Sequence, residues 1–234
     1  MRVLAVITAR AGSKEIKHKN LLIVDGKPLL AHSIEACEMC PDITDYIVST
    51  DSPIYARLAN KYAHHEVCPF LRPKELAEDV PSEDVIIHAL TECEKIYAKH
   101  YDAICTIQPT SPFIMPTDIQ ECVEALTHGY DSAITVCKVH DRPQWMFTVN
   151  DDNVMEPLIK ADTRGEWGVR QKHQDYYIPN GMCYLTLRNT LLEEKRIIGK
   201  KCFPVIVPRL RSIDIDTEED VRVAKALVDA CLIP

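Results

Sequence analysis

Short β-branched runs alternate with amphipathic helical patterns along most of this chain, and that rhythm limits the possible folds more than any single motif does. Val3 to Thr8, Tyr46 to Ser49, Ala103 to Ile107 and Ala133 to Cys137 read as strands. Leu29 to Glu38, Ile54 to Tyr62, Ser82 to Lys99 and Thr117 to Thr127 read as helices. In the third helix Val85, Ile86, Ala89, Leu90, Cys93, Ile96 and Tyr97 fall on one face. Strand, helix, strand in this order predicts an α/β fold, a mostly parallel sheet with helices on both faces. Such sheets bind ligands beyond the carboxyl ends of their strands, so the strand exits are the places to look for chemistry.

A length of 234 residues suits one large domain, or one domain with an arm. With no repeat, polar linker or low-complexity tract, residues 1–234 read as a single unit. The rhythm breaks over 138–178, where Asp141, Arg142, Pro143, Trp145 and Trp167 stand, and this stretch is predicted to be an excursion that packs on a second subunit. A strand resumes at Met182 to Leu187. Ser212 to Asp216 reads as a last strand, and Thr217 as a helix N-cap with Asp220 three residues on. Val221, Ala224, Val228 and Cys231 form the expected buried face of that final helix. No apolar run approaches the roughly 18 residues that cross a bilayer, and no secretory leader is visible, so a soluble cytoplasmic protein without a membrane partner is expected. The ten cysteines read as packed thiols rather than disulfides, and the pair Cys37 and Cys40 as core thiols rather than zinc ligands.

Charge gives the next constraint. Lys and Arg total 27 against 35 Asp and Glu, a net charge of -8, which argues against a nucleic-acid partner. Yet the exit of the first strand carries Arg10, Lys14, Lys17 and Lys19 around Gly12 and Ser13. Cations and glycine-exposed amides there suit a triphosphate, although neither G-x-x-x-x-G-K-[ST] nor G-x-G-x-x-G is present; a solvated basic loop is the alternative. At the other end, Asp214 and Asp216 share one face of an extended segment. Together they suit a hard cation such as Mg²⁺, or else Asp216 assists the cap at Thr217 while Asp214 is solvated. Gln108, followed by Pro109, marks a strand exit with an amide able to reach a polar ligand. Thr50-Asp51, Arg72 before Pro73, and Asn180-Gly181 are further exits or turns, and Arg72 could fork onto a base carbonyl or pair with an acid.

In order along the chain, these segments resemble the CMP-sialic acid synthetase family of cytidylyltransferases. The loop Ala9 to Asn20 is similar to its A-R-x-G-S-K-x-x-x-x-K-N opening, and V-S-T-D, L-R-P-x-E-L-A, Q-P-T-S-P, N-G and S-I-D-I-D-T follow in the family's order. The resemblance implies a Rossmann-like catalytic domain with a dimerisation excursion, and a homodimer whose active sites are completed by the neighbouring subunit. It implies that CTP activates a nine-carbon α-keto acid sugar, a nonulosonic acid, for cell-surface glycan biosynthesis. Arg10, Lys14 and Lys19 match the family's triphosphate cations, with Gly12 and Ser13 in the same loop and Asn20 as a ribose or phosphate contact. Arg72 and the Pro81-Ser82 turn match the cytosine end. Gln108, Asn180, Tyr184 and Phe203 match the sugar side, Arg170 a basic residue reaching the partner's site, and Asp214 and Asp216 the Mg²⁺ carboxylates.

The chain departs from the sialic-acid pattern at Trp145, where a Lys is usual, and at Ile178, where an Arg is usual. Losing two cations changes what is recognised there and makes legionaminic acid, a deoxy and more apolar relative, a second candidate. A 3-deoxy-octulosonate cytidylyltransferase, a metal-dependent nucleotide-sugar glycosyltransferase and a non-enzymatic nucleotide sensor are the remaining alternatives. A fused phosphatase is not expected.

Overall fold

The computed structural model describes residues 1–13, 15–159 and 174–233. The main elements are β1 (Val3–Thr8), β2 (Ile23–Val24), β3 (Lys27–Pro28), α1 (Leu29–Glu38), β4 (Asp45–Ser49), α2 (Pro53–Tyr62), α3 (Ser82–Tyr97) and β5 (Ala103–Ile107). They continue with α4 (Pro116–Thr127), β6 (Ser132–Lys138), β7 (Phe147–Val149), β8 (Met155–Pro157), β9 (Tyr177–Leu187), α5 (Arg188–Glu193), β10 (Cys202–Ile206) and α6 (Glu218–Asp229). Six strands form one sheet in the order β10-β6-β9-β5-β1-β4. β1 is parallel to β4 and β5, and β6 to β10, while β9 runs antiparallel between β5 and β6. The chain leaves β1 toward β4 on one side and returns to β5 on the other, so a crevice opens where β1 ends.

Helices cover both faces, as the rhythm predicts. On one face Leu30 and Ile34 of α1, Tyr55 of α2, Ile119 of α4 and Val221 of α6 pack with Val3, Ile7 and Ile107. On the other, Ile86 and Leu90 of α3 and Leu191 of α5 pack with Leu4, Val6 and Ile104. The central strands are buried from both sides, which is why they read as continuous apolar runs. Cys37 and Cys40 belong to the first of these cores, and burial holds both thiols above their usual range.

Several boundaries differ from expectation for physical reasons. α3 stops at Tyr97 because Ala98 turns into the left-handed region at φ 49°, and Ile96 is left exposed. α6 buries Leu227 while Cys231 is exposed, since the helix ends at Asp229. β9 begins at Tyr177 rather than Met182, and a register shift opposite Ile134 and Val136 absorbs the Asn180-Gly181 pair. β10 and α5 are additional; Pro204 is accommodated in β10 because that strand lies at the sheet edge.

Ser212 to Asp216 is not a strand. The Arg211 guanidinium holds this segment in place by donating to Asp118 Oδ2 at 2.7 Å, Asp118 Oδ1 at 2.9 Å and the Phe113 carbonyl at 3.1 Å. One backbone bond joins it to the Gln108 turn, from Ile215 N to Thr110 O at 2.8 Å. Among its described residues the excursion contains a small β7-β8 hairpin that leaves Val149, Val154, Met155 and Leu158 exposed. Residues 160–173 of it, with Trp167 and Arg170, lie outside the described residues, as does Lys14.

Candidate active site

A cavity of about 1090 Å³ lies at the carboxyl ends of β1 and β5, on the α3 side of the sheet. Loop residues Arg10, Ser13, Lys19 and Asn20 line it together with Arg72, Ser82, Gln108, Tyr184, Asp214 and Asp216. The two ends of the sequence therefore share one cleft. Their contact is direct, because the Lys19 ammonium donates to Asp216 Oδ1 at 2.6 Å.

The basic loop is braced from several sides. Ala9 N donates to Ser49 O at 3.0 Å, and Ala11 N donates to Asp51 Oδ1 at 2.9 Å, which gives the Thr50-Asp51 exit its local task. Asn20 is buried, and its amide donates to the Arg10 carbonyl at 3.2 Å. Arg10 itself donates to Asp79 Oδ1 at 2.9 Å, just ahead of α3. Space over Gly12 is open: apart from its chain neighbours, no atom of the described residues lies within 4 Å of where a Cβ would stand. Ser82 begins α3, so that helix directs its positive N-terminal end at the cavity.

Arg72 is a structural cation as well as a lining residue. It is only 5 % exposed, and its Nε and Nη2 donate to Ser49 Oγ at 3.0 Å and Ser49 O at 2.6 Å. Burial lowers its pKa to about 10, with Asp51 opposing and Arg10 adding to that shift, so it stays charged at neutral pH. Asp214 is open to the cavity, yet the protein around it desolvates its carboxyl. Burial, and the nearby Asp216 and Asp220 charges, raise its pKa against the opposing effects of Thr110 and Lys19. Tyr184 also titrates high, first through burial and then through the Asp214 charge. Asp214 and Asp216 are hard-oxygen donors close enough for the charge of Asp216 to disfavour ionised Asp214, a donor set that would suit a divalent cation.

Some of the expected site residues stand elsewhere. Phe203, expected beside the sugar, is at the opposite end of the sheet: it pairs with Ala133 and packs edge-on against Tyr130 at 5.0 Å. The cavity wall near Tyr184 is instead Ile197 and Ile198, with Arg196 beside them. This segment follows α5 and carries no motif, only a hydrophobic pair between Arg196 and Gly199. Asn180 is buried behind the cavity, where its amide Nδ2 donates to Ser212 Oγ at 2.9 Å. Pro81 caps α3 without lining the cleft, and Gly12 also lies outside the lining. Trp145 packs under the Arg142 guanidinium at 5.4 Å, and Ile178 is exposed at the base of the excursion.

An α/β sheet with a cationic loop after its first strand, facing an acid pair across one cleft, is the architecture of a nucleotidyltransferase. The chain belongs to the cytidylyltransferase family, whose sequence profile matches residues 4–198. It is 30 % identical over 234 residues to the CMP-N,N'-diacetyllegionaminic acid synthase of Legionella pneumophila, covering 98 % of this chain and 97 % of that protein. It is 32 % identical to the N-acylneuraminate cytidylyltransferase of Escherichia coli O18:K1:H7 over 95 % of this chain, which spans about half (51 %) of that relative. A pseudaminic acid cytidylyltransferase of Campylobacter jejuni is 27 % identical over 97 % of the chain. In fold it is similar to a CMP:2-keto-3-deoxy-manno-octonic acid synthetase complexed with CTP, with a TM-score of 0.69, 18 % identity and coverage of 98 % of this chain and 99 % of that one. No helix among the described residues is long and apolar enough to cross a membrane.

Proposed function

We propose that this protein transfers CMP from CTP to the C2 hydroxyl of a nonulosonic acid, forming the CMP-sugar and releasing pyrophosphate. The observation that carries the reading is the meeting of the basic loop and the acid pair in one cavity, joined at Lys19 and Asp216. Nucleotidyl transfer asks for positioning and charge neutralisation rather than a covalent nucleophile, and this lining supplies cations, amides and carboxylates.

Arg10 and Lys19, with Lys14 of the same loop, hold the triphosphate and offset charge on the departing pyrophosphate. Arg72, Ser82 and the start of α3 face the nucleoside end. Gln108 orients the sugar, and Tyr184, Ile197 and Ile198 form the wall for its N-acyl substituents. Asp214 and Asp216 would hold Mg²⁺; when bound, the ion neutralises phosphate charge and lowers the pKa of the attacking hydroxyl.

The exposed apolar hairpin of the excursion is the proposed contact with a second subunit in a homodimer; the role of Arg170 toward the neighbour's site rests on the family resemblance alone. Trp145 and Ile178 line no part of this chain's own cavity; in the proposed homodimer their departures from the sialic-acid pattern would act through the neighbouring subunit. That substitution of apolar for cationic groups favours a legionaminic-type acid over sialic acid, in keeping with the full-length Legionella relative.

The test is a panel of sialic, legionaminic, pseudaminic and octulosonic acids with CTP and Mg²⁺, scored by pyrophosphate release. Turnover with a nonulosonic acid is the expected result. Turnover with the octulosonic acid alone would replace this reading with the eight-carbon one, and no release from any acid would reject the transferase.

A further inference from the structure

Three side chains from two separate segments meet over the Cα of Gly181. A methyl group there would stand 3.0 Å from Gln108 Oε1, 3.0 Å from Ser111 Oγ and 3.4 Å from Asp214 Oδ2. Gly181 has φ +79°, a conformation that glycine adopts without strain. The surroundings are cross-tied. The fully buried Ser111 hydroxyl donates to the Asn180 carbonyl at 3.1 Å, the Asn180 amide donates to Ser212 Oγ at 2.9 Å, and Ile215 N donates to Thr110 O at 2.8 Å. The Gln108 turn, the bulge of β9 and the segment bearing Asp214 thus close into one unit.

We infer that the Asn180-Gly181 bulge gauges the acceptor subsite, setting the gap between the Gln108 amide and the Asp214 carboxylate in which the attacking hydroxyl lies. The inference rests on the reaction proposed above and adds to it the residues that place its acceptor. Asn180 is a positioning residue that acts through Ser111 and Ser212, not a sugar contact. Gly181 contributes the absence of a side chain. Because Ser111 is buried and tied to Asn180, a methyl on Gly181 is accommodated by displacing the Gln108 amide, while Asp214 lies at contact distance and keeps its place. The Arg10 and Arg72 side chains donate to Glu78, Asp79 and Ser49, outside this unit, and Lys19 meets its segment at Asp216.

The experiment compares Gly181→Ala with Gly129→Ala in the full-length protein. Gly129 has φ +81° and open space where its Cβ would be, so it reports backbone strain alone. Both variants should lose similar thermal stability. Gly181→Ala should raise KM for the nonulosonic acid about tenfold and lower kcat, since sub-ångström displacement at a reacting centre is costly. Its calorimetric Kd for CTP should stay within twofold, and Gly129→Ala should keep wild-type kinetics. Asn180→Ala, which keeps the glycine, should raise the acid KM in the same direction with CTP affinity retained, and it carries the test if Gly181→Ala fails to fold. Wild-type acid KM in Gly181→Ala, or in Asn180→Ala where it stands in, overturns the inference, as does a loss of CTP affinity as large as the loss for the acid. A wild-type protein that releases no pyrophosphate rejects the reaction and the inference with it, which is distinct from an active wild type with unaltered variants.

Discussion

Asp216 has two partners to satisfy, the Lys19 ammonium at 2.6 Å and, in the proposed reaction, a phosphate-bound cation. Asp216→Asn removes the charge while keeping the shape. Turnover should fall a hundredfold or more, about 3 kcal/mol of barrier, with an unchanged fold by circular dichroism. A near-normal rate at saturating Mg²⁺ would remove this carboxylate from the mechanism. The residue types were legible because cations at a first-strand exit are conspicuous on an acidic chain, and paired acids at i and i+2 are rare enough to notice. Partnerships were not legible: nothing in Arg72 reveals that its guanidinium is folded onto Ser49. Phe203 shows the reverse case: the family resemblance puts it on the sugar side, while its strand position carries it toward Tyr130.

The elements that shape the cavity are held by a few charged ties. Arg211 forks onto the buried Asp118 and so anchors a segment that pairs with no strand. Arg211→Ala strands that carboxylate and should cost about 3–5 kcal/mol in urea unfolding. Arg211→Lys should recover only part, because lysine lacks the two-pronged geometry. Asp131 does similar work for the loop bearing Arg196 to Ile198, accepting from Lys200 N at 2.9 Å and Lys201 N at 2.8 Å. Burial alone would raise its pKa; those amides and the Ser132 hydroxyl outweigh burial and hold it below the usual aspartate value. A lowered folded-state pKa stabilises above the unfolded value and is lost as pH falls through the folded one. Asp131→Asn should therefore be about 1–2 kcal/mol less stable at neutral pH, a difference that fades below about pH 4. A constant difference down to pH 2 would show that shape, not charge, matters. Regular elements were readable from periodicity, and β1 and β5 fall where their apolar runs do. The segment from Ser212 to Asp216 misread as a strand because alternating Ile and Asp has a strand's period, while the decisive tie comes from Arg211, outside the alternation.

On the scale of the molecule, the central sheet is covered on both faces while the described hairpin of the excursion is not. Its β7-β8 hairpin exposes Val149 and Met155, the latter 61 % accessible, on a chain whose central sheet is otherwise well covered. If this surface is where two copies meet, Met155→Asp should shift sedimentation from dimer to monomer and reduce turnover, because the neighbour's arm would be lost from each cavity. A dimer of undiminished stability would place the junction elsewhere. The bond between Lys19 and Asp216 also bears on the order in which guests arrive. An acid whose counterion is already built in gains little from capturing a lone metal ion out of solution, and a lysine so occupied gains little from bare phosphate. In the reaction proposed above, ion and nucleotide arriving as one package would give each group a new partner of opposite charge, so the two ends of the sequence would trade their mutual contact for a shared guest.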